Sequence, residues 1–331
     1  MTYTSGSTIQ ATDFNTFVST GTPNINNIWG TGSGDSGWGQ SAVSTVATND
    51  TVTATNWASL VNTLGSMGGQ TGTAITSRTA PVTGNTISIL ANVSTDITNC
   101  NTGRGNAAAS GTTSTTFTGT TSKTTATGSA GASWTITFTH TVTFASADAA
   151  RYFWNAGGLV RLDMSKTSTG TDSDADWNTF VGTVGTLYMS GRVNSAAQTI
   201  AGVSYTGFTR SGGSGTPSPN LTTTGWYSLT AGAAATTMWK LTSTAAGYTN
   251  DYIQVTAAKN AGSTVLTLVT TWVDGGTATA GATRNISGGT ATSSPFSTFG
   301  TAPAVLCRYV PPSTTYLTAS WGTPAIAATV A

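Results

Sequence analysis

The sequence predicts a mainly β protein with a β-sandwich-like C-terminal part, one or two short helices on it, and a small helical N-terminal module. Three observations lead there. Residues 134–144 alternate strictly between apolar or aromatic side chains and threonines. Further β-rich runs follow at short spacing, separated by glycine-rich turns. Apolar residues at helical spacing, by contrast, concentrate in the first hundred positions.

Taken in order, Thr12 to Val18 places Phe14, Phe17 and Val18 at helical spacing behind a Thr12 or Asp13 cap. The glycine-rich run Gly30–Gln40 cannot hold a regular element and is expected to be a loop with unusual backbone angles. Trp57, Leu60, Val61 and Leu64 form the stripe of a second helix, with Thr55 as cap and Gly65 as stop. Leu90, Val93, Ile97 and Cys100 follow at spacings of three, four and three, the pattern of a short bundle or coiled-coil seam. Residues 1–105 thus read as a helical and loop attachment module. Residues 106–131, rich in Gly, Ser, Thr and Ala around Phe117, read as a linker or arm.

Residues 132–331 read as the β-rich domain, with a candidate subdomain break near 212–220. In the stretch from Trp134, the side chains Ile136, Phe138, Val142 and Phe144 share one face with Trp134. Five threonines take the other face, which a period of two requires of a half-buried strand. Ser146 caps a short helix, Asp148 suits its first turn, and Gly157-Gly158 end it. Leu159–Met164 then alternates again as a returning strand. Trp177, Phe180, Val181 and Val184 mark another helix, stopped by Gly185. Leu187–Met189, Trp226–Leu229, Met238–Leu241, Tyr252–Val255 and Val265–Val273 are strand-like. The last is long and β-rich, hence expected at the centre of its sheet.

Composition narrows function. Only 7% of the 331 residues are charged, where about 25% is usual. The net charge of +1 leaves no electrostatic footprint for nucleic acid. A nearly neutral surface gives little colloidal repulsion and favours association. No basic, apolar leader opens the chain and no stretch nears the 18 apolar residues of a membrane span, so neither export signal nor membrane insertion is expected.

Catalytic inventory is thin. All 11 acidic residues are aspartates, which excludes a glutamate acid/base and the His-Glu-x-x-His zinc motif. The one histidine, His140, lies in phase with the apolar face of its strand, as a hydrogen-bonded core histidine would. Cys100 and Cys307 read as buried thiols; two cysteines make neither a disulfide framework nor a zinc site. Asp172, Asp174 and Asp176 alternate as in the opening of a calcium loop. Trp177 stands where that loop needs glycine, and no glutamate can close it. Gly30–Gly39 lacks the Gly-Lys-Ser/Thr ending of a phosphate loop. No catalytic residue, cofactor or firm metal site is expected.

Several short segments resemble virion structural proteins of tailed bacteriophages, notably those infecting marine cyanobacteria. They are Ile9–Asn15, Ile28-Trp29-Gly30 through Gly34–Gln40, Val52–Trp57 and Gln70–Thr73, with Tyr152–Gly158 and the following strand downstream. The resemblance covers mainly residues 9–75 and 134–164. It implies a structural, tail-associated or fibre-like component located in the virion and brings no catalytic residues with it. The expected function is particle assembly and contact with the host surface, including its glycans. Expected partners are other virion proteins and further copies of the chain, with a trimer favoured by the 90–100 seam. Trp29, Trp38 and Trp57 are the candidate interface anchors. The alternatives are a capsid decoration or head-fibre protein and a carbohydrate-binding tail protein.

Overall fold

The computed structural model describes residues 10–84, 92–111, 113, 120–122, 128–129, 134–167, 173–191, 198–200, 203–245, 249–275, 295–296 and 302–331. Leu90, Phe117 and Asp172 lie outside them. The chain is mainly β, with two five-stranded antiparallel sheets, two two-stranded ribbons, short helices and an N-terminal helical layer.

The N-terminal layer comprises α1 (Ala11–Asn15), which continues as a π turn to Thr20, α2 (Ile25–Ile28), α3 (Ala54–Thr71) and α4 (Val93–Gly103). Gln10, not Thr12 or Asp13, precedes α1, and its side chain makes no cap bond. Helix α3 begins at a Thr53–Asn56 capping box and runs through Gly65 to Gly72, which takes the left-handed conformation. The expected Thr55 cap and Gly65 stop are therefore corrected. Burial of Met67 and Gln70 on the continuing stripe offsets the helix cost of Gly65, which is about 1 kcal/mol. Phe14 and Phe17 pack on Trp57, with ring centroids 5.3 and 6.3 Å away.

Two asparagines extend this layer without secondary structure. Asn15 donates to the carbonyl of Val46 (2.8 Å) and accepts from its amide (2.9 Å). Asn26 does the same with Val43, at 2.9 and 2.8 Å. Each carboxamide replaces one rung of a β ladder, so an irregular segment satisfies its backbone.

Among the described residues fourteen strands follow. β1 (Thr120–Ser122), β2 (Gly128–Ser129), β3 (Trp134–Thr143) and β4 (Leu159–Ser165) flank α5 (Ala147–Asn155). After α6 (Ser173–Val184) come β5 (Thr186–Met189), β6 (Gln198–Ile200), β7 (Val203–Tyr205) and β8 (Phe208–Ser211). β9 (Thr236–Thr242), β10 (Tyr252–Lys259) and β11 (Val265–Asp274) form a meander. β12 (Pro295–Phe296), β13 (Ala304–Val310) and β14 (Ala325–Val330) complete the order.

One five-stranded sheet has the order β14-β3-β11-β10-β9, and the other β1-β13-β4-β5-β8. β11 is central in its sheet, as its composition predicts. Ile136, Phe138, His140, Val142 and Phe144 are buried, matching the expected face of β3. β4 does not return beside β3, however; it joins the opposite sheet. α5 is therefore the corner that carries the chain from one sheet to the other. Ser146 caps it by accepting from the Ala149 amide (3.0 Å). Trp226–Ser228 is a 3-10 turn, not the expected strand, because Trp226 stacks on Trp154 (5.6 Å, 22°) against the corner.

A single hydrophobic cluster runs from Ala11 in the helical layer to Trp321 near the end of the chain. Where described, the expected linker joins the fold: Ala107 is buried, Ala109 bridges Pro312, and Thr120–Ser122 pairs with β13. Val93, Ile97 and Cys100 lie in this same core. The anticipated seam thus faces inward, and the basis for a trimer disappears.

Candidate functional site

The loop Gly30–Gln40 joins the helical layer to the β sandwich. Gly32, Gly34, Gly37 and Gly39 all have positive φ, as the composition predicts. This backbone aims Trp38 at α5. Trp38 Nε1 donates to the Asn155 carbonyl (3.0 Å), and Asn155 Nδ2 donates to the Gly37 carbonyl (3.1 Å). Arg151, one turn earlier on α5, donates to the Gly32 carbonyl at 2.6 Å. At Gly39 a Cβ would enter the ring of Tyr152, so close approach as well as φ demands glycine.

Gln40 ties in the C-terminal segment. Its Oε1 accepts from the amide and hydroxyl of Thr318 (2.8 and 2.7 Å), and its Nε2 faces the Thr318 carbonyl and Ser320. Gln70, on α3, donates to the carbonyls of Ala108 and Ala156, both at 3.0 Å. Two primary amides thus cross-link segments remote in sequence.

The candidate anchors are corrected by burial. Trp38 and Trp57 are buried in the chain's own core and cannot also anchor a partner. Trp29 is half-buried, and its indole donates to the Ser41 carbonyl at 3.0 Å. Aromatic periodicity does not separate an interface anchor from an internal one; both need an apolar pocket with a polar rim.

Of the three aspartates that alternate as in a calcium loop, Asp172 lies outside the described residues. Helix α6 begins at Ser173, so Asp176 lies within its first turns rather than in an open loop. Among the described residues no group of three or more His, Cys or Asp could hold a metal ion.

His140 is fully buried, and its Nε2 lies 3.2 Å from the carbonyl of Val305 on β13. The ring nitrogen is the donor, since a carbonyl only accepts. This bond crosses between the two sheets. Burial pulls the imidazole pKa down to about 4, against a smaller opposing effect of the Val305 bond. The residue is a core histidine, as its phase in the strand predicts. Burial pushes the Cys100 thiol up to about 12, with Asp96 adding to the effect, and burial raises Cys307 as well.

A surface cleft of about 320 Å³ lies beside α6. Asp176, Thr179, Phe180 and Thr183 face it, at spacings that share one helical face. Ser214–Thr216 and Leu241–Ala245 form the other walls. Arg210 holds the turn by donating to the carbonyls of Ser214 (2.8 Å) and Gly215 (2.9 Å). The Ser214 amide donates to the Thr183 carbonyl (2.8 Å), fixing this turn to the helix. Sequence reading placed the helix and the turn but had no signal that they meet; they lie some 35 residues apart.

No protein-family model, curated protein or solved structure matches the chain. Among the described residues no helix is long and apolar enough to cross a membrane.

Proposed function

We propose that the chain is a non-catalytic structural component of a tailed-phage particle, tail-associated or fibre-like, acting in assembly and host-surface contact. The observation that supports this reading is the clasp between Gly30–Gln40 and α5. Each of these two segments overlaps part of the resemblance to phage structural proteins, and they are the two halves of one contact. Such a clasp makes a helical layer and a β sandwich into one stiff unit, which suits a part under mechanical load. The one histidine is consumed as a link between sheets, which favours a structural over a catalytic role. Self-association and contact with other virion proteins fit the nearly uncharged surface. No copy number follows, since the supposed seam is internal.

Antibody-gold labelling of intact particles tests this directly. Gold on the tail or its fibres supports the reading. Gold spread over the capsid replaces it with the decoration alternative. Denatured virions that fail to react with a working antibody would remove the virion reading altogether.

A further inference from the structure

We infer that the cleft beside α6 binds a non-anionic sugar unit, a neutral hexose or an amino sugar. This ligand class is read from the cleft alone, so the inference stands or fails independently of the virion reading. The volume of about 320 Å³ sits at the low end of small-molecule sites. Its floor is Phe180 and Leu241, both buried, which offer an apolar surface to the C–H face of a ring. Around that floor stand Thr216, Thr242 and Thr244, all exposed.

A hydroxyl both donates and accepts, so three around an apolar floor match the alternating needs of neighbouring sugar hydroxyls. Among the described residues lining the cleft Asp176 is the charged one, and the neighbouring Arg210 guanidinium is taken up by the carbonyls of Ser214 and Gly215. A carboxylate only accepts, and it binds hydroxyl donors more strongly than a neutral acceptor does. It also repels phosphate, sulfate and uronate groups while attracting an ammonium, which sets the ligand class. The 214–216 wall is held by Arg210 and by a main-chain bond to α6 before any ligand arrives, so binding orders little of that wall.

The test is an amide NMR titration of the full chain with methyl glucoside, N-acetylglucosamine and glucosamine, with glucuronate as the anionic control. Saturable shifts confined to residues 176–183, 214–216 and 242–245 are expected with the first three sugars. Asp176→Asn should weaken binding roughly tenfold, the scale of one charged hydrogen bond. Thr216→Trp, which fills the mouth, should abolish binding at an unchanged melting temperature. Thr244→Val serves as a second, milder variant with partial loss. Absence of saturable shifts at these residues, undiminished binding by Thr216→Trp and Thr244→Val, or glucuronate binding as tightly as methyl glucoside would overturn the inference.

Discussion

Trp38 and Asn155, 117 positions apart, are joined twice: the indole donates to the Asn155 carbonyl, and the Asn155 side chain donates to the carbonyl of Gly37. The pair closes the N-terminal layer onto the corner helix between the sheets. Both residues are buried, so neither bond competes with bulk water.

Trp38→Phe keeps most of the apolar volume but removes the indole hydrogen bond to the Asn155 carbonyl. It should destabilise the protein by about 1–3 kcal/mol. Trp38→Ala adds a cavity and should cost about 3–5 kcal/mol. Equilibrium denaturation in urea reads both. A Phe variant as stable as the parent would mean that the clasp contributes packing alone.

Gln40→Leu preserves shape while removing every bond to Thr318 and Ser320. Amide exchange should then accelerate in 316–331, including the edge strand β14, before it does in β11. Uniform acceleration across the sheet would instead indicate global loosening.

His140 makes stability depend on mildly acidic pH. Its folded pKa, about 4, lies below the unfolded value of about 6.5. Between these values the unfolded chain binds more protons, so stability falls as pH drops through the window and levels off below it. The loss approaches about 3 kcal/mol as an upper estimate. The chain has no glutamate, and His140 is its one histidine. His140→Gln, which can still donate to Val305, should flatten the melting temperature between about pH 5 and about pH 6.5. An unchanged slope in that variant would contradict the assignment.

Cys100 and Cys307 should be silent to a thiol reagent in the native protein and react fully in denaturant. Burial both blocks access and holds the thiols protonated at neutral pH. Rapid labelling of either thiol under native conditions would show local opening around α4 or β13.

Local pattern carried much of the fold. The alternation of β3 placed Ile136, Phe138 and His140 inward, and Ser146 marked the start of α5, because side-chain period and capping depend on near neighbours. Thr53 as the true cap of α3 was equally local, and Asn56 three positions on was the overlooked signal. Trp226 misled because a β-prone run can serve a tight turn when its ring has a partner such as Trp154. The strands β8, β13 and β14 escape the sequence reading: β8 and β14 are edge strands, and β13 has buried residues on both faces and so lacks strict alternation.

By itself, then, the sequence determined the β-rich class, the phase of the main strands, the glycine loop and the internal role of His140, all properties of spacing and side-chain chemistry. Tertiary structure alone decided that β4 crosses to the other sheet and that Val93, Ile97 and Cys100 face their own core. It also decided that Trp38 meets Asn155 and that α6 meets the 214–216 turn. These are long-range pairings, selected by which apolar faces can be buried together, and no local window contains both partners.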